Sequence, residues 1–194
     1  MNYPSGKKYI PNQNIQKKTD KHTNAANRGM SLENLINESN NFYYANDICL
    51  ITKRPTPINV VKVDYSHGAK IVDAYFEKQS TTDYNGVYKG KYIDFEAKST
   101  MSKTSFPLHN IYDHQINHLK KVIRHNGIAF FIIELAYYNE YYLLDAQVLI
   151  TFIEINSRKS IPLESIKKQG YKIKLGLQPT LDYIEIVESI YFKN

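Results

Sequence analysis

Ala129, Phe130, Phe131, Ile132 and Ile133 stand in an unbroken apolar run within residues 128–136. A strand apolar at successive positions is buried on both faces, so a sheet built around it needs cover on either side. The flanking segments can supply that cover. Residues 107–125 predict an amphipathic helix, with Ile111, Ile116, Leu119, Val122 and Ile123 on its apolar side and Gly127 ending it. Residues 141–144 read as a short strand, and 146–155 and 162–168 as helices, the second stopped by Gly170. Residues 181–191 are helical or extended; the pattern does not choose. Upstream, Met30, Leu35, Ile36, Phe42 and Tyr43 predict a helix from Arg28 to about Tyr44, capped by Asn27 or Ser31. Residues 48–53 read as a strand, broken by Arg54-Pro55-Thr56-Pro57. The sum is an α/β fold, a mixed β-sheet flanked by helices.

Between these elements lies the segment with chemistry. Thr81-Thr82-Asp83 opens a strand, Gly86 to Gly90 turns it, and Tyr92-Ile93-Asp94-Phe95-Glu96-Ala97-Lys98 returns. Side chains alternate along a strand, so Tyr92, Asp94, Glu96 and Lys98 share one face. Asp83 can lie opposite them if the two strands pair. The pattern is Asp, twelve residues, then Glu-x-Lys. Two carboxylates and an ammonium converging at a sheet edge can hold a divalent cation and polarise a phosphodiester. An exposed face laced by cross-strand ion pairs would give the same spacing. Asp94 shares the face as a further ligand or, the preferred reading, as a support behind the ligands or a partner for lysine. Glu33 is either a helper carboxylate or an exposed helix charge. His114 and His118 can share a helix face, yet no third ligand stands near enough in sequence to make a zinc site.

The charge is placed unevenly. Of a net +6, residues 1–28 carry Lys7, Lys8, Lys17, Lys18, Lys21 and Arg28 against Asp20 alone, which is +5. These residues are poor in apolar side chains, which predicts a disordered basic arm ahead of a near-neutral body at 29–194. Such an arm suits a polyanionic partner or serves as a solubilising tail. Residues 57–79 read as a hairpin around Gly68, inserted before the acidic segment and expected to project from the body. No run approaches the ~18 apolar residues of a membrane span, and the N-terminus lacks the apolar core of a signal peptide. Cys49 is the single cysteine. No internal disulfide or cysteine-rich zinc site follows, and a cytoplasmic setting is the default expectation.

Several segments stand together in order: Gly29-Met30-Ser31-Leu32-Glu33, Lys53-Arg54-Pro55-Thr56-Pro57, the segment from Ser80 to Lys98, Lys103-Thr104-Ser105-Phe106-Pro107-Leu108 and Asp113-His114-Gln115. With them the chain closely resembles RecU, the Holliday junction resolvase family of Gram-positive bacteria, over essentially its whole length. That family is a branch of the PD-(D/E)xK nucleases. Thr82 stands where the superfamily's name has proline, as is usual in this branch. The resemblance implies a restriction-endonuclease-like sheet with a projecting hairpin stalk, and a homodimer that nicks four-way DNA junctions in pairs using Mg2+, with Mn2+ as an alternative. It implies metal ligation by Thr81, Asp83, Glu96 and Gln115, and transition-state stabilisation by Lys98. It places the basic arm on phosphates and the stalk in the junction's centre. Tyr75 and Phe76 then stack on unpaired bases, or pack at the stalk base or dimer interface. The family is also associated with the RecA recombinase, though no residue of this chain locates that contact.

Overall fold

The computed structural model describes residues 31–77 and 81–192. The basic arm, with Lys7, Lys8, Lys17, Lys18, Lys21 and Arg28, lies outside the described residues, as does the end of the hairpin at 78–79.

Six strands form one sheet in the order β1 (Leu50–Lys53), β4 (Tyr84–Tyr88), β5 (Lys91–Thr100), β7 (Ile128–Leu135), β8 (Glu140–Asp145) and β10 (Tyr171–Ile173). β5 and β7 run parallel, and every other pair is antiparallel. The apolar run is therefore a central strand, β7, buried at every residue but the half-buried Glu134. Its register sets Glu96 beside Phe131 and Lys98 beside Ile133.

Helices cover both faces, as expected. On one side lie α2 (Asp113–Arg124), α3 (Ala146–Ile155) and α4 (Leu163–Gln169). Leu119, Val122, Leu149, Ile150 and Ile166 join Phe131, Ile133 and Leu144 there in one core cluster. On the other side lie α1 (Leu32–Ala45) and α5 (Tyr183–Tyr191). Here the core is aromatic. Tyr84, Phe95 and Phe130 stack rung to rung across three strands at 4.9 and 4.7 Å, and Tyr183 tilts onto Phe95 at 5.4 Å. Rings in such arrangements add about 0.5–1.5 kcal/mol each beyond the area they bury. Ser31 caps α1, its hydroxyl accepting from the Asn34 N–H at 3.3 Å. Residues 183–191 are helical, settling the choice that the sequence left open. Cys49 is core, and burial pushes its thiol up to about 12.

The expected helix at 107–125 begins later, at Asp113. Ser105–Pro107 instead forms β6, paired with β9 (Ser160–Pro162), and a 3-10 turn follows at Leu108–Asn110. The pairing carries Phe106 and Ile161 fully into the core, a gain that helical periodicity does not register.

The hairpin at 57–79 appears as β2 (Ile58–Asp64) and β3 (Lys70–Phe76), a two-stranded sheet of its own. Apart from the half-buried Val63, every residue of both strands is exposed. Tyr75 and Phe76 are among them, Phe76 at 78%. The two strands close with the Glu77 N–H donating to the Pro57 carbonyl at 2.9 Å.

Candidate active site

The site forms where β4 parts from β5. Their ladder reaches Tyr84 opposite Phe95, and β5 runs on to Thr100 paired with β7. Beyond that last rung, backbone groups of β5 need other partners. Asp83 supplies one, its Oδ2 accepting the Ala97 N–H at 3.2 Å. In return the Asp83 N–H donates to Glu96 Oε2 at 3.1 Å. The Asp83 carbonyl accepts the Arg54 N–H at 2.7 Å. Each acid is thus fixed by the other's strand.

Glu96 is 1% exposed. Its Oε1 lies 2.8 Å from Lys98 Nζ and accepts from Gln115 Nε2 at 2.5 Å. Burial pushes the Glu96 carboxyl up to about 7, the Asp83 charge adds to the rise, and Lys98 opposes it. Lys98 alone does not supply enough positive charge to offset burial and the Asp83 charge. Asp83 and Glu96 are hard oxygen donors on opposite sides of the fork, and a divalent cation between them would supply that charge. The donor set therefore fits a hard cation such as Mg2+. Among the described residues no group of three or more histidine, cysteine or acidic side chains that could hold a metal comes together.

Gln115 reaches Glu96 from the first turn of α2 and is buried rather than an exposed helix residue. Its amide nitrogen holds Glu96, while its oxygen accepts the Tyr112 N–H at 3.0 Å. Thr81 lies half-buried in the bend before β4 rather than on a strand. Its neighbour Thr82, which sequence reasoning passed over, is buried and donates to Asp94 Oδ1.

Asp94 is fully buried. Its Oδ2 accepts from Arg54 Nη2 at 2.7 Å and from the Tyr92 hydroxyl at 2.7 Å, with His118 Nε2 at 2.9 Å. Of the two roles considered for it, partner to a cation holds, but the cation is Arg54 rather than lysine. The hint lay in the Lys53-Arg54 pair, but which residue Arg54 meets depends on the register of three strands. Of the two histidines, His118 is held by Asp94, and His114 stacks on Tyr112. Glu33 pairs with Lys53 at 2.5 Å. Both line a cleft of about 400 Å³ with Asp83, Ala97, Ser99 and Glu134. Glu33 thus stands near Asp83, bound to a lysine.

A mixed sheet between helical layers, with an acid at the end of one strand and Glu-x-Lys on the next, is the arrangement that the resemblance to PD-(D/E)xK nucleases implies. The recombination protein U family model matches residues 27–189, and the chain belongs to that family. It is 49% identical over 197 residues to the Holliday junction resolvase RecU of Bacillus cereus, covering 99% of this chain and 98% of that protein. It is 51% identical over 198 residues to the protein of the same name from Bacillus cytotoxicus, with the same coverage. Among solved structures it is similar to Hjc of Archaeoglobus fulgidus, a Holliday junction resolvase. The TM-score is 0.40 at 10% identity, covering 71% of this chain and 94% of that one.

Proposed function

We propose that this chain resolves four-way DNA junctions by paired, Mg2+-dependent nicks. The observation that carries the chemistry is the interlocked Asp83–Glu96 pair with Lys98 at 2.8 Å and Gln115 behind it. Family membership over the whole chain supports the substrate.

Asp83 and Glu96 would hold the cation, Thr81 would complete its surroundings directly or through water, and Gln115 would act through Glu96, the ligand its amide holds. Mg2+ or Mn2+, when bound, polarises the scissile phosphate and makes a water more acidic. Lys98 offsets charge developing on the phosphate, or takes a proton from the attacking water, from a position fixed by its ion pair. Gln115 keeps Glu96 turned toward Asp83. Asp94 holds Arg54 and Thr82, and so the backbone from which Asp83 projects.

Recognition is assigned to other parts of the chain. Lys7, Lys8, Lys17, Lys18, Lys21 and Arg28 neutralise phosphates, which makes binding salt-dependent. The exposed β2–β3 hairpin enters the open centre of the junction, where Tyr75 and Phe76 meet unpaired bases. A homodimer places two sites at symmetry-related phosphates, the arrangement that paired cuts need. RecA is a candidate protein partner through the family alone.

The test is cleavage of a synthetic four-way junction and of linear duplex, with and without Mg2+. The wild-type chain should cut the junction in preference, and Asp83→Ala or Glu96→Ala should bind it without cutting. Full cleavage by either variant sinks the site; equal cleavage of both substrates sinks the junction assignment.

A further inference from the structure

One aromatic pair stands at the rim of the site. Tyr112, immediately before α2, is 55% exposed, whereas the rings stacked across the sheet are buried. Its ring stacks on His114 with centroids 5.5 Å apart and planes 11° from parallel. The ammonium of Lys98 lies 5.8 Å from the centre of the Tyr112 ring. An exposed tyrosine ring, with the half-buried His114 imidazole stacked on it, thus stands next to the cation assigned to the scissile phosphate.

The placement is fixed through the backbone. The Tyr112 N–H donates to Gln115 Oε1 at 3.0 Å, and the other end of the same amide donates to Glu96 Oε1 at 2.5 Å. Gln115 is buried, so this link from carboxylate to amide to backbone has little freedom. The ring pair therefore keeps a set offset from the reacting centre. A nucleotide offers the complementary shape, with its phosphate toward Lys98 and its base toward the rings. Every base has a π-face, and aromatic side chains bind it by stacking.

We propose that Tyr112 and His114 form a base platform, which stacks a base of the cut strand next to the scissile phosphate. In continuous duplex that base is held by its neighbours. At a branch point the strands change partners and a base is released at lower cost. The platform thus couples the choice of phosphate to the branch and acts as a specificity-determining element for the reaction proposed above, on which it rests.

The experiment is a cycle between protein and DNA. Four-way junctions carry either the natural nucleotide or an abasic residue beside the cleavage position. Each is bound and cut by the wild-type chain, by Tyr112→Ala and by Tyr112→Phe. Tyr112→Ala keeps the backbone N–H that Gln115 accepts, so Glu96 stays in place. Loss of one stacked base should weaken binding on the order of 10-fold. Tyr112→Ala and the abasic residue should each show this loss, and combining them should add nothing. Tyr112→Phe, which keeps the ring, should recover it. Losses that multiply, or Tyr112→Ala binding and cutting like the wild type, overturn the platform. Binding is measured with Ca2+ in place of Mg2+. If the wild-type chain cuts nothing, the nuclease reading fails, and the same cycle in binding alone still decides for or against the platform.

Discussion

Replacing Glu96 by glutamine removes a charge from a place where burial and Asp83 disfavour it. The carboxyl rises from an ordinary 4.5 to about 7 in the folded chain. Below about pH 4.5 it is protonated in folded and unfolded chains alike, so its contribution is fully present. Above that, the unfolded chain gives up the proton while the folded chain keeps it. Folding stability then falls by about 1.4 kcal/mol per pH unit until the folded carboxyl also ionises near 7. The whole decline is worth about 3 kcal/mol. Glu96→Gln keeps the shape and lacks the titration. Urea unfolding of both proteins in EDTA, from about pH 4.5 to about pH 8, should show the wild type losing on the order of 3 kcal/mol relative to the variant. Saturating Mg2+ should reverse much of that loss in the wild type, because a ligand of the folded state stabilises it. A stability gap that stays constant with pH, or widens in favour of the wild type, refutes the electrostatic account of the pair.

Other outcomes follow from single contacts. Lys98→Met removes the ammonium that opposes the rise at Glu96, so that carboxyl should titrate above 7 when followed by carbon NMR; an unmoved midpoint contradicts the pairing. Asp94→Ala strands Arg54, Tyr92 and Thr82 around a missing carboxylate and should cost about 3–5 kcal/mol in urea unfolding. A cost below about 1 kcal/mol would mean that the cluster contributes little. Gly86→Ala drives a methyl to 2.0 Å from the Leu50 carbonyl oxygen. The β1 amides should then lose hydrogen-exchange protection, and unchanged protection would show that β1 packs less closely on β4 than described.

The juxtaposition of Asp83, Glu96 and Lys98 was legible because strand alternation is local: Glu96 and Lys98 share a face whatever surrounds them, and the Tyr84–Phe95 rung brings Asp83 to them. The apolar run at Ala129–Ile133 likewise declared a central strand through its own residues. Three features escaped because they depend on distant partners. β6 is three residues long, and only its pairing with β9 keeps it from joining α2. Arg54 meets Asp94 across 40 residues, through the registers of β1 on β4 and β4 on β5. Gln115 was readable as a site residue, but its double duty, bridging Glu96 and the Tyr112 backbone, appears only once α2 begins at Asp113.

The β2–β3 ladder is closed on itself, and the Glu77–Pro57 hydrogen bond ties its two ends together. A ribbon tethered in this way can lengthen, shorten or change its tip at little more than the entropy of a longer loop. Its register carries an irregularity at Val60–Lys62 that leaves the six-stranded sheet untouched. Mutational drift in the ribbon is therefore insulated from the six-stranded sheet and from the Asp83–Glu96 fork, so the ribbon can change its length and surface without disturbing that pair.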